Sequence, residues 1–95
     1  MGIHLKIIVI VSDTLRWDYL GCYGNEWVHT PNIDEFAKQA IIFDKAYGGS
    51  FPTIPHRYDL FTGHYCFHTR GWAPITPEEE TFPKLFSKAG YHTEM

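Results

Sequence analysis

Cysteine is scarce in this sequence, and what there is cannot staple a fold. Cys22 and Cys66 are the only two. A disulfide framework needs more, so the expectation is a reduced, cytoplasmic protein. Basic residues are few as well: eight Lys and Arg against eleven Asp and Glu, scattered along the chain, for a net charge of −3. Without a basic patch, nucleic acid is not an expected partner. Long apolar runs are missing too. "IIVIV", residues 7 to 11, is far shorter than the roughly 20 residues that span a bilayer, so no membrane partner is expected. No small-residue cleavage site of a secretory signal accompanies it. Internal repeats, low-complexity tracts and linkers are also absent. With 95 residues and 44% hydrophobic content, the chain reads as one globular domain rather than a disordered one.

What is present alternates between two patterns. "KIIVIV", residues 6 to 11, is a continuous β-branched run, as expected for a strand buried on both faces of a parallel sheet. "TPNIDEFAKQA" then offers Thr30 as a cap, Pro31 at the first helical position, and Ile33, Phe36, Ala37 and Ala40 on one face. That spacing predicts an amphipathic helix. "IIF", residues 41 to 43, reads as a second short strand, and Pro55 to Thr62 as a short helix closed by Gly63. "APITPEEET", residues 73 to 81, reads as a surface loop leading into a further helix. In that helix Phe82, Leu85, Phe86 and Ala89 share a face and Gly90 ends it, with "YHTEM" opening another strand. Strands alternating with helices predict an α/β fold around a mainly parallel sheet with right-handed crossovers. Ligands gather beyond the carboxyl ends of such strands. Asp13 and Thr53 are both expected on that edge.

The densest chemistry lies in "SFPTIPHRYDLFTG", residues 50 to 63. Thr53 sits at the N-terminal mouth of the expected helix, where orphan N–H groups and the positive end of the helix dipole converge. Such a place suits an anion, or a nucleophile that attacks one. A plain helix cap is the other reading of Thr53, and a solvated helix residue the other reading of Arg57. Asp13 follows an apolar strand almost at once, so its carboxylate must be paired, hydrogen-bonded or on a metal. On spacing alone, a cap for a helix in "SDTLRWDYLG" leads. His64, Cys66 and His68 alternate in "HYCFH" and on a strand would share one face like zinc ligands, but no second ligand pair accompanies them. His56 reads either as a substrate contact or as a partly exposed neutral histidine, and Cys22 as a buried small hydrophobe. Trp17, Trp27 and Trp72 read as core or rim residues.

"SDTLRWDYLGCYGN", "TPNIDEFA", "TIPHRYDLFTG" and "FPKLFSKAGYHT", in this order and spacing, resemble the N-terminal part of the sulfatases of the alkaline phosphatase superfamily. The most specific element is the nucleophile signature, Cys or Ser followed by x-Pro-x-Arg-x-x-Leu-x-Thr-Gly. Thr53, Pro55, Arg57, Leu60, Thr62 and Gly63 fill it here. Two nearby look-alikes fail: Cys66 and Arg70 have His68 where the proline belongs, and Ser50 has Ile54 in place of the arginine. The resemblance implies a three-layer α/β sandwich, with residues 1 to 95 as the N-terminal part of a sulfatase-like catalytic domain. The family's later basic residues, a histidine and a second pair of metal ligands would lie beyond Met95. Hydrolysis of small-molecule sulfate or phosphate esters is the implied activity.

The resemblance also assigns roles. Asp13 takes the place of the first acidic metal ligand, and Thr14 stands where the family often has a second Asp. Thr53 takes the nucleophile position and also touches the metal. Arg57 steadies the nucleophile and the ester's charge. The implied metal is calcium, with zinc or manganese as alternatives. Sulfatases proper convert the Cys or Ser to formylglycine, and the methyl on the threonine carbinol carbon blocks the same oxidation. Thr53 is therefore expected to attack directly as a hydroxyl, which favours phosphate over sulfate esters. The competing reading is a degenerate, non-catalytic member or fragment, which Thr14 and Thr53 favour. A sheet cut at "YHTEM" is expected to self-associate through its open edge.

Overall fold

The computed structural model describes residues 5–95. They form two units, the first ending at Lys45 and the second running from Ala46 to Met95. In the first unit two 3₁₀ turns, Trp17–Tyr19 and Gly21–Tyr23, precede helix α1, Pro31–Ala37. Proline opens α1 because the first helical N–H has no partner to lose. Thr30 occupies the cap position as expected, but its side chain makes no capping bond. Its hydroxyl instead donates to Asp34 Oδ1 at 3.0 Å and accepts the Gly21 N–H at 2.9 Å. The Cys22 N–H donates to the same Asp34 oxygen at 2.8 Å. One carboxylate on α1 therefore holds the second 3₁₀ turn. Gly21 makes this approach possible, since a Cβ there would overlap the Asp34 carboxylate. Asn25 closes the next bend, accepting the Trp27 and Val28 N–H groups while donating to the Asp18 carbonyl. Edge-on pairs of Trp17 with Tyr23 and Tyr19 with Trp27 cover the turns. Trp17, Trp27 and Trp72 are all exposed.

The second unit carries α2 (Thr53–Thr62), α3 (Cys66–Thr69) and α4 (Phe82–Lys88). Pro55 and Cys66 are fully buried and Tyr58 nearly so. Gly63 ends α2 in the left-handed conformation at φ 73°, which a glycine adopts without a Cβ clash. Phe61 on α2 stacks on Phe82 of α4 with centroids 5.3 Å apart. Phe86 and Tyr91 extend the aromatic column edge-on. That column is the expected apolar face of the last helix, which ends just before Gly90.

Arg70 organises the loop between α3 and α4. Its guanidinium lies 4.8 Å from the Tyr58 ring centroid, pairs with the Glu79 carboxylate and donates to the Pro74 carbonyl. The Thr76 N–H donates to the other Glu79 oxygen at 2.6 Å. The Thr76 N–H, and after it Arg70, hold the Glu79 carboxyl below its ordinary value. A depressed carboxyl contributes stability above its unfolded pKa and loses it as pH falls through the folded one. As pH falls below the ordinary carboxylate range, the bonds from the Thr76 N–H and Arg70 to Glu79 should weaken, and Glu79→Gln should abolish that pH step. The check is the Thr76 amide shift followed by NMR: an unchanged titration in Glu79→Gln contradicts the assignment.

Three segments differ from expectation. Residues 6–11, 41–43 and 91–95 have no regular secondary structure, and no strand occurs among the described residues. Strand backbone is satisfied only by a neighbouring strand, and these segments find none here. Burial along 7–11 still alternates with period two: Ile7, Val9 and Val11 are 48%, 54% and 41% exposed, Ile8 and Ile10 83% and 85%. The chain is thus half covered on one side and bare on the other.

Candidate functional site

Helix α2 begins at Thr53, two residues earlier than the proline pattern predicts, with Pro52 as its N-cap. Thr53 is therefore the first helical residue rather than the residue at the cap position. The helix can start early because Pro55 still falls in the first turn, where a missing N–H costs no helical bond. The first regular bond at this end runs from the His56 N–H to the Pro52 carbonyl at 3.0 Å. The N–H groups of Thr53 and Ile54 have no helical carbonyl to bind and contribute to the positive end of the dipole. Thr53 is exposed, and His56 and Arg57 are half-buried. At spacings of three and four residues, helical geometry places the His56 imidazole and Arg57 on the same face of α2 as Thr53. The His56 ring rests on the backbone of residue 48, where a Cβ would lie 3.7 Å from Nδ1.

Asp13 belongs to the first unit and lies in a turn, not at a helix start, so its capping role is excluded. It is exposed, and Oδ1 accepts the Thr14 hydroxyl at 3.1 Å. Thr14 itself has φ 66°, a left-handed conformation that β-branched residues rarely adopt. A strained residue directly after a carboxylate is a common companion of functional sites. The Asp13 carboxylate is an oxygen donor of the kind that hard cations take. Among the described residues no three His, Cys, Asp or Glu side chains converge to hold a metal ion.

The look-alikes resolve clearly. Cys66, His68 and their neighbours form α3, so "HYCFH" is not a strand and does not present three ligands on one face. Cys66 is wholly buried, with its N–H on Asp59 Oδ1 at 2.7 Å, and Arg70 is occupied by Glu79 and Tyr58. Ser50 is buried rather than presented. Cys22 is half-buried and carries a free thiol. Two residues that sequence reasoning overlooked prove central: Asp34, which ties α1 to the 3₁₀ turns, and Asp59, which ties α2 to α3. The Thr30-to-Asp34 spacing of four, one helical turn, was the available signal for the first; nothing in the sequence marked the second.

The sulfatase family model matches residues 6–95. Among curated relatives, the N-acetylglucosamine-6-O-sulfatase of Bacteroides thetaiotaomicron is 33% identical over 94 residues, covering 95% of this chain and 17% of that protein. The arylsulfatase of Clostridium perfringens is 35% identical over 96 residues, covering 94% of this chain and 19% of that protein. Human iduronate 2-sulfatase is 32% identical over 96 residues, covering 94% and 17% respectively. The chain therefore spans less than a fifth of the length of these relatives. No solved structure matches it. A family match that runs unbroken from the apolar segment through α4 is far more than a shared motif on one helix, and the chain belongs to the sulfatase family.

Proposed function

We propose that the chain carries the nucleophile-bearing part of a metal-dependent ester hydrolase, with Thr53 as an unmodified hydroxyl nucleophile and phosphate esters preferred over sulfate esters. The observation that carries this reading is the α2 N-terminus: an exposed Thr53 in the first helical turn, with Arg57 on the same face. Thr53 Oγ1 forms the bond to phosphorus, the ester P–O bond breaks, and the hydroxyl proton ends on the departing alcohol. Water then hydrolyses the phosphothreonine and releases inorganic phosphate. Arg57 supplies a fixed planar guanidinium for the tetrahedral oxyanion, and the helix N-terminus adds its partial positive charge. A divalent cation, when bound, lowers the pKa of the attacking hydroxyl. Asp13 and Thr53 are the residues of this chain that would hold it, and their all-oxygen character favours calcium over zinc, with manganese also fitting.

The same reading takes the segments at 6–11, 41–43 and 91–95 as strands of a three-layer α/β sandwich whose remaining strands supply their partners. Left unpaired, the bare side of Ile8 and Ile10 favours self-association. Two oxygen donors fall well short of the roughly six to eight that calcium takes. The 95-residue chain by itself is thus expected to be inactive.

The test compares matched aryl phosphate and aryl sulfate esters, using a chain extended to the length of its relatives, with calcium, manganese or zinc and with a chelator. Faster phosphate turnover that the chelator removes is expected. A strong sulfate preference overturns the nucleophile assignment. No turnover of either ester with any metal supports the non-catalytic reading.

A further inference from the structure

Arg70 lies outside the nucleophile signature, yet it touches the helix that carries it. The Arg70 N–H donates to the Cys66 carbonyl at 2.8 Å, which fixes its backbone at the end of α3. Its guanidinium stands 4.8 Å from the Tyr58 ring centroid, pairs with Glu79 and donates to the Pro74 carbonyl at 2.8 Å. The Glu79 carboxylate accepts the Thr76 N–H, and the Glu79 carbonyl accepts the Lys84 ammonium of α4 at 2.6 Å. Residues 70–79 are thus slung between α2 and α4. On α2, Tyr58 is only 6% exposed and directly follows Arg57. Successive helical residues lie about 100° apart around the axis, so a fixed Tyr58 ring sets the direction in which Arg57 and Thr53 face. Asp59 and Phe61 anchor the helix further along, through Cys66 and Phe82.

We propose that Arg70 is a positioning residue for α2: its guanidinium clamps the Tyr58 ring and so holds Arg57 and Thr53 at their angle, and Glu79 holds the guanidinium. The consequence for turnover rests on the reading of Thr53 given above; the clamp itself does not. The charged groups facing Glu79 are Arg70, Lys84 and the neighbouring Glu78, while Glu80 is paired with Lys88. Protonation of Glu79 leaves Arg70 with the Pro74 carbonyl and the ring alone. The carboxyl is held below its ordinary value, so the clamp persists until pH falls below the ordinary carboxylate range.

The clamp and its effect on rate are read separately, both on a chain extended to the length of its relatives. With selective tyrosine labelling, the Tyr58 ring signals should shift on acidification with the same midpoint as the Thr76 amide, and Glu79→Gln should remove that step. Ring signals that do not move with the amide overturn the clamp. In kinetics, Arg70→Met should lower kcat about tenfold with KM unchanged, and Arg70→Lys should recover part of the loss, since an ammonium still sits over the ring but lacks the planar fork. The kcat of wild type should fall on acidification in step with the ring signals, and Glu79→Gln should lack that limb. A lowered Tm with unchanged kcat in Arg70→Met, or an acid limb that survives in Glu79→Gln, overturns the positioning role. Should Arg70→Met fail to fold, Arg70→Lys and the Glu79→Gln pH profile decide. A wild type inactive on every ester defeats the Thr53 reading and with it the effect on rate, and the ring signals then decide the clamp.

Discussion

Thr53→Ala is expected to abolish ester turnover in an active, extended chain, by roughly a thousandfold or more, while Thr53→Ser keeps activity within about tenfold of wild type. The asymmetry follows from what each change removes. Alanine deletes the attacking oxygen, so the remaining rate comes only from charge stabilisation by Arg57 and the helix N-terminus. Serine deletes a methyl and keeps the oxygen at the first helical position, where threonine's β-branch contributes stiffness but no chemistry. Arg57→Lys should fall between the two, because an ammonium keeps the charge and loses the planar pair of donors. The measurement is kcat/KM on matched aryl phosphate and sulfate esters for all four proteins. Wild-type rates in Thr53→Ala refute the mechanism outright. Thr53→Cys, by contrast, restores the signature read by the formylglycine-generating enzyme, and co-expression with it should raise the sulfatase rate relative to the phosphatase rate.

Gly21→Ala is expected to destabilise the first unit by about 2 to 3 kcal/mol. The added Cβ falls on the Asp34 carboxylate, so that side chain must swing away. Doing so strands the Cys22 N–H and the Thr30 hydroxyl, both bound to Asp34 Oδ1. Hydrogen bonds to a charged acceptor are worth more than neutral ones, which sets the magnitude. Gly24→Ala is the control. Gly24 sits at φ 96°, and a Cβ there would have no atom within 4 Å of it, so that change adds only backbone strain of about 1 to 2 kcal/mol. Urea midpoints distinguish the two causes when combined with Asp34→Ala. Once the carboxylate is gone, Gly21→Ala should add little further loss, whereas Gly24→Ala should add its full effect. Additive losses from Gly21→Ala and Asp34→Ala would contradict the steric explanation.

Helices α1, α2 and α4 were readable from the sequence because their signals are local, whereas α3 carried no such signal. Pro31 and Pro83 each mark a first turn, and Gly63 and Gly90 each mark an end. Even so, α2 begins at Thr53 because a proline tolerated anywhere in the first turn cannot say which residue starts it. The roles of Thr30 and Asp59 were not readable, because each depends on a partner brought close by a turn, and for Asp34 only its spacing of four from Thr30 gave a signal. Thr30 shows the point well: it has the residue type of a cap and occupies the cap position, yet its hydroxyl serves Gly21 and Asp34 instead. The family was legible for a different reason, since the residue types from Thr53 to Gly63 stand in the fixed order of its signature, and the family match runs over residues 6–95. For the β-branched run at 6–11, composition records a propensity to pair, and pairing needs a second strand.

The hydrogen bonds that organise the first unit span only 9, 12 and 20 residues: Gly21 to Thr30, Cys22 to Asp34, and Tyr23 to Phe43. Closing loops that short costs little entropy and takes well under a millisecond. A ribosome adds roughly 5 to 20 residues per second, so synthesis is slow by comparison. The turns around Gly21 are therefore expected to close on Asp34 while α2 is still unmade. A substitution at Asp34 would then act on the nascent chain, lowering the yield of folded protein before it has any effect on the finished one.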